Sequence, residues 1–402
     1  MKKKQINLCL GIITLILFLF PVTSIVKAQS PYINKVYEYR PAPGQFVNEL
    51  PKYEAGNTRE DMNRKAEESI SGENKILISL GAYGGYVVFG FDHPIVNVPG
   101  ESDFKIWGNA FFAASNPNSG TSRDGGSCEP GIVMVSYDAN GNGFPDDEWY
   151  ELAGSEYDHS ETIKNYRLTY YKPDENKVKV PMPGYPYLND ITYIKWESNQ
   201  GDEGYVYRNV YHRQPYYPQW INDETLTFEG TKLADNYVDE SGTGSYYVQY
   251  AYPWGYADNY PNNDDRSNFN IDRAVDADGN PVHLPGIHFV KVYTAVNQYC
   301  GWLGETSTEI MGAEDLHPDA ALSAIDNIYP DENAIRLLNN PVKEILKIEV
   351  SKQQTIAVYN SSGQKILTTQ VMEGINQMDC SNLPAGFYIV VSNSGTIKFI
   401  KQ

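Results

Sequence analysis

The sequence predicts an all-β protein: a jelly-roll-type β-sandwich, preceded by one short helix and followed by a small antiparallel sandwich. Two observations in the main body point there. From Ile76 onward, short runs rich in Val, Ile and Tyr recur between turn clusters. Over the same region the 3.6-residue apolar period of a surface helix is absent. A third observation concerns the tail, where Ile345, Lys347 and Glu349 alternate with Leu346, Ile348 and Val350, as in a half-buried strand.

Taken in order, residues 1–28 read as a secretory signal peptide. Lys2, Lys3 and Lys4 form a charged start, Leu8 to Val22 an apolar run, and Val26-Lys27-Ala28 a small-residue cleavage site. The apolar run is too short for a membrane anchor. Residues 29–75 form a Pro- and Gly-punctuated lead-in. Its helix is expected over Arg59–Ile70, capped by Thr58 with Asp61 in the capping-box position, and with Met62, Ala66 and Ile70 on one face. The body spans 76–318. Strands are expected at Ile76–Leu80, Tyr86–Phe91, Phe104–Trp107, Ile132–Ser136, Trp149–Leu152 and Tyr166–Tyr171, then at Ile191–Trp196, Leu226–Glu229, Tyr246–Tyr250 and Phe289–Tyr293. Residues 319–333 read as a linker. Residues 334–402 form the tail, too small to bury much core but sufficient as an appended module.

The tail carries Asn340-Pro341-Val342, the turn Tyr359-Asn360-Ser361-Ser362-Gly363, the block Leu383-Pro384-Ala385-Gly386-Phe387-Tyr388 and the ending Lys398-Phe399-Ile400-Lys401. In that order these resemble the type A C-terminal sorting domain of the type IX secretion system of Bacteroidota. The resemblance implies an immunoglobulin-like β-sandwich, engagement of the secretion machinery, and export to the outer cell surface. A second resemblance covers the body. Gly90-Phe91-Asp92-His93-Pro94, Asp103-Phe104, Gly108-Asn109-Ala110-Phe111, Glu129-Pro130-Gly131 and Gly286-Ile287-His288-Phe289 look like a family of bacterial cell-surface proteins of unknown activity. That resemblance implies a galactose-binding-like sandwich. Some similar proteins occur in surface systems for cobalamin capture, although no motif here marks that ligand.

The formal charge of −19 argues against nucleic acid and anionic lipid as partners. Loss of Lys2, Lys3, Lys4 and Lys27 with the signal peptide takes it to −23. Outside the signal peptide, Cys128 and Cys300 are the only cysteines of the body, and the compartment permits them to pair.

The sharpest chemical motif is Asp138-Ala139-Asn140-Gly141-Asn142-Gly143-Phe144-Pro145-Asp146-Asp147-Glu148. Calcium takes six to eight oxygens, and alternate side chains on a tight loop supply them. Asp138, Asn140, Asn142, the Phe144 carbonyl, Asp146 and Glu148 are the candidate ligands, with Asp147 able to replace Glu148. The twelfth loop position holds Trp149 and the flanks are strands, so this is no EF-hand. An Asn- and Gly-rich hairpin turn explains the same residues without metal. Asp276-Ala277-Asp278-Gly279-Asn280 is a weaker candidate, and reads first as a hairpin. Asp103, Asn109 and Glu129 stand in an apolar block, where they either satisfy backbone groups or hold an ion; the former is favoured.

The chain has 32 Tyr and 6 Trp. Tyr216, Tyr217 and Trp220 form one cluster, and Trp254, Tyr256, Asp258 and Asn259 a second. Aromatic faces beside Asp and Asn suit a sugar, and equally a planar cofactor such as a corrin. Tyr-rich strands also build cores. Catalytic signals are thin: no His-Glu-x-x-His and no nucleophile elbow occurs. Glu305 with Glu309, or Asp202 with Glu203, could serve as a glycosidase couple only if a structure placed them across a cleft. The expectation is a non-catalytic, calcium-braced surface protein that binds a glycan or a cofactor such as cobalamin. The alternatives are a carbohydrate-active hydrolase and a structural adhesin.

Overall fold

The computed structural model describes residues 29–98, 100–113, 124–320, 335–339, 341–350, 352–360, 364–392 and 395–402. The expected signal peptide, and the linker from residue 321 on, lie outside them.

The body is an all-β sandwich of antiparallel sheets, with one α-helix and no barrel among the described residues. Its largest sheet has six strands in the order Lys35–Arg40, Tyr86–Val96, Gly286–Thr294, Gly131–Ser136, Trp149–Leu152 and Ala274–Val275. A four-stranded sheet orders Glu203–Asn209, Leu188–Ser198, Ile163–Tyr171 and Thr225–Lys232. Side chains of both sheets meet in one buried apolar cluster: Val87, Phe89, Val133, Val135, Val290 and Val292 from the first, Leu168, Tyr170, Ile194, Val206 and Phe228 from the second. Alternation explains the selection, since every second residue of each central strand faces that core. Fully burying each such side chain contributes roughly 1.5–3 kcal/mol.

The helix runs Arg59–Ile70, as expected. Thr58 Oγ1 accepts from Asp61 N at 3.2 Å, and Asp61 Oδ2 accepts from Thr58 N at 3.0 Å. This is the reciprocal capping box read from the sequence. Met62, Ala66 and Ile70 are buried, so the predicted face is the packed face. Between the helix and the large sheet the chain turns through Gly81 at φ +73°, where an added Cβ would lie 2.0 Å from the Ala42 carbonyl oxygen. Only glycine fits that crossing.

Three smaller sheets position the site described below. One orders Tyr237–Asp239, Tyr247–Tyr250, Gly125–Ser127 and Phe111–Phe112; another Asn268–Phe269, Phe104–Trp107 and Gly312–Asp315; the third pairs Glu309–Ile310 with Ile78–Ser79. Cys128 and Cys300 are buried free thiols, so the disulfide that the compartment permits is not formed. The tail has a three-stranded and a four-stranded sheet around its own buried cluster of Leu346, Ile348, Ile356, Val358, Val390 and Phe399. No described helix is long and apolar enough to cross a membrane.

Candidate metal centre

Three carboxylates from distant parts of the chain converge: oxygens of Glu129, Asp258 and Glu309 all lie within 4.8 Å of one another. Glu129 sits between the Gly125–Ser127 and Gly131–Ser136 strands. Asp258 reaches it because the two segments are zipped together. Gly131 and Ala257 exchange backbone hydrogen bonds at 2.9 Å, and Glu129 N donates to the Asp258 carbonyl at 2.9 Å. Glu309 enters from the short strand paired with Ser79.

Asp258 is the organising residue. Its backbone is left-handed at φ +52°, a conformation Asp tolerates better than most residues. Its Oδ1 accepts from Asn109 N and Ala110 N, both at 2.8 Å, and its Oδ2 from Glu309 N at 2.9 Å. Gly108 makes room: an added Cβ would stand 2.3 Å from Asp258 Oδ1. The Glu129 carboxylate is hydrogen-bonded to the Glu309 side chain; its other contacts are long, to Gln249 Nε2 at 3.4 Å, Ser127 Oγ at 3.4 Å and Ser307 N at 3.5 Å.

The electrostatics are unusual. Asp258 and Glu309 are buried and Glu129 is half-buried. None of the ion pairs among the described residues includes any of the three. Burial, then the neighbouring Glu129 charge, pushes Asp258 and Glu309 well above the usual carboxylate range, and burial also raises Glu129. Buried like charges with no counter-cation must take up protons or hold a positive ion. A fourth group bears on the choice. The Asn109 amide faces the Asp258 carboxylate at 3.1 and 3.2 Å. With nitrogen inward it donates to both oxygens; with oxygen inward it adds an oxygen to the cluster, an arrangement that a cation satisfies. Three carboxylates are hard oxygen donors of the kind calcium takes.

The Asp138 loop is organised differently. Asp138 accepts from Asn142 N at 3.0 Å and Gly143 N at 2.8 Å; Asn140 Oδ1 accepts from Asn142 N at 2.9 Å, and Asn142 Oδ1 from Phe144 N at 2.7 Å. Asp146 accepts from the Asn140 and Asn142 amides at 3.0–3.1 Å. Asp147 turns inward to Ala139 N at 3.2 Å, whereas Glu148 bonds the Tyr150 hydroxyl at 2.9 Å. Asp147 and Glu148 thus face different partners. Asp276 closes its own turn onto Asp278 N and Asn280 N. Asp103 accepts from Val98 N and Ile271 N, both at 2.7 Å, the backbone-satisfying role that the sequence favoured.

The two aromatic clusters do not form an open platform. Tyr216, Tyr217, Trp220, Tyr256, Asp258 and Asn259 are all buried. Asn259 ties its own loop, with Oδ1 accepting from Tyr252 N at 2.9 Å and Nδ2 donating to the Tyr252 carbonyl at 2.8 Å. Only Trp254 is exposed, at 36%; it lines a shallow cleft with Arg273 stacked 3.8 Å from its ring. The reason is the packing of Tyr-rich strands: Tyr216 meets Tyr193 edge-on at 5.3 Å and Trp220 stacks on Tyr39 at 5.9 Å.

Residues 338–402 match the family described as the secretion system C-terminal sorting domain. The chain carries a type IX sorting tail. It is therefore exported to the cell surface, and the tail is the part that engages the secretion machinery. No curated protein matches the chain. Among solved structures, a Faecalibacterium prausnitzii β-glucuronidase is 10% identical, with 72% of this chain and 47% of that one covered, at a TM-score of 0.16. The chain spans about half the length of that enzyme, and so low a TM-score carries no argument.

Proposed function

We propose that the exported body is a non-catalytic binding protein of the cell surface, braced by calcium. The observation that carries the bracing is the convergence of Glu129, Asp258 and Glu309 within 4.8 Å with no basic partner. Calcium would offset two of the three carboxylate charges. Three separated segments would then be tied at one point, which suits a protein that must survive outside the cell. The role is structural because Asp258 is already fixed by three backbone N–H groups. The hydrolase reading lacks support of this kind. Glu305 and Glu309 are 8% and 4% exposed, and neither lines the cleft at Lys35–Arg40 or the one at Trp254. The Asp138 loop is a second seat for calcium, although its oxygens already have N–H partners.

Metal analysis of the full secreted chain, dialysed against buffer without added metal, tests the assignment. The expected result is bound calcium that is reduced by one equivalent per chain in the Glu309→Gln variant. Undiminished calcium in that variant would place the ion elsewhere.

A further inference from the structure

A cleft of about 610 Å³ is lined by the Lys35–Arg40 edge strand. Its floor is sheet: Glu38 pairs with Val88, Val88 with Lys291, and Arg40 with Tyr86. Its rim is the tip of the Asp138 loop, where Phe144 is 59% exposed, together with the start of the helix. The lining is cationic and aromatic. Lys35, Arg40, Arg59 and Lys291 stand against only Glu38 and Glu60, in a chain whose overall charge is −19. Arg59 is spoken for by Asp223 at 2.6 Å. Lys35, Arg40 and Lys291 have no ion pair among the described residues. The Lys291 ammonium instead sits 4.2 Å over the Tyr86 ring, and burial lowers its pKa.

The Arg40 side chain is hydrogen-bonded to Tyr86 and carries no carboxylate partner. Cations without an ion pair, set in a cleft beside Tyr37, Trp149 and Phe144, call for a ligand with an anionic group and a flat apolar face.

We propose that this cleft binds an acidic saccharide, a sugar ring that bears a carboxylate. The carboxylate meets Arg40 and Lys291, and the ring packs on the aromatic side chains. The positive cleft in a negative surface draws such a ligand in, so binding weakens with salt. This rests on the binding-protein reading above and gives it a ligand class.

The test is calorimetric titration of the full secreted chain with a galacturonate tetrasaccharide and with its neutral galactose counterpart. The expected result is binding of the acidic sugar at least tenfold tighter than the neutral one, and a further loss at 0.5 M salt. Lys291→Met, which keeps the side-chain volume, should lose at least tenfold for the acidic sugar alone, and Trp149→Ala should weaken both. Circular dichroism checks that the variants fold. Equal affinity for the two sugars would overturn the acidic class while leaving a binding protein; no binding of either would overturn both. An unaffected Lys291→Met would also overturn the proposal.

Discussion

At the scale of single residues, the body is organised by carboxylates held where water is scarce. Burial lifts Asp103 to about 6 and Glu305 to about 8. A carboxyl whose folded pKa is raised contributes stability that is present below its ordinary value and lost as pH rises through the folded one. For Glu305 that window runs from its ordinary 4.5 to about 8. In calcium-saturated protein, Glu305→Gln should therefore melt increasingly above wild type between pH 5 and 8, with a gap of roughly 5 °C at the upper end. The side-chain oxygen that accepts from Gln45 N is retained in the variant, so the change isolates the charge. A gap that does not vary with pH would contradict this. The residues of the metal centre were only partly legible. Asn109 and Glu129 stand out as polar residues in an apolar block. Asp258 is hidden among aromatics, and Glu309 reads only as half of an acidic pair with Glu305. No spacing rule joins residues that far apart; the Gly131–Ala257 bridge brings them together, and a backbone bridge between two loops leaves no sequence pattern.

At the scale of elements, local signals worked where they were self-contained. The helix has its cap, its box and its buried face all inside one segment, so Arg59–Ile70 was readable. Thr58→Ala removes the Oγ acceptor of Asp61 N and should cost about 1 kcal/mol, seen as a melting temperature lower by roughly 2–4 °C. Thr58→Ser should restore it, and an unchanged melting point in the alanine variant would deny the cap a role. Phe104–Trp107 and Trp149–Leu152 were readable as strands from their apolar and aromatic runs. Two-residue strands such as Phe111–Phe112 and Ala274–Val275 were not, because they exist only through their partners. The aromatic clusters misled for a related reason. A Tyr-rich run looks the same whether its rings face solvent or, as at Tyr216 and Tyr217, a second sheet.

At the scale of the whole molecule, a sorting tail delivers to the cell surface a β-sandwich whose deepest polar feature has too much negative charge. Residues of the body and of the tail fill separate apolar clusters. The tail was the most legible part, because its turn and strand motifs fall in family order along 65 consecutive residues, 338 to 402. The brace proposed for the body is a cation that completes Glu129, Asp258 and Glu309. Melting the full secreted chain in chelator and in excess calcium tests it directly, with Asp258→Asn and Asp138→Ala alongside. A ligand at about 100 times its Kd stabilises by roughly 2.7 kcal/mol, which is a rise of roughly 5–10 °C. The predicted result is that calcium raises the wild-type melting temperature by that amount, that Asp138→Ala keeps most of the rise, and that Asp258→Asn loses most of it. A rise that survives in Asp258→Asn and disappears in Asp138→Ala, or no rise in the wild type, would contradict it.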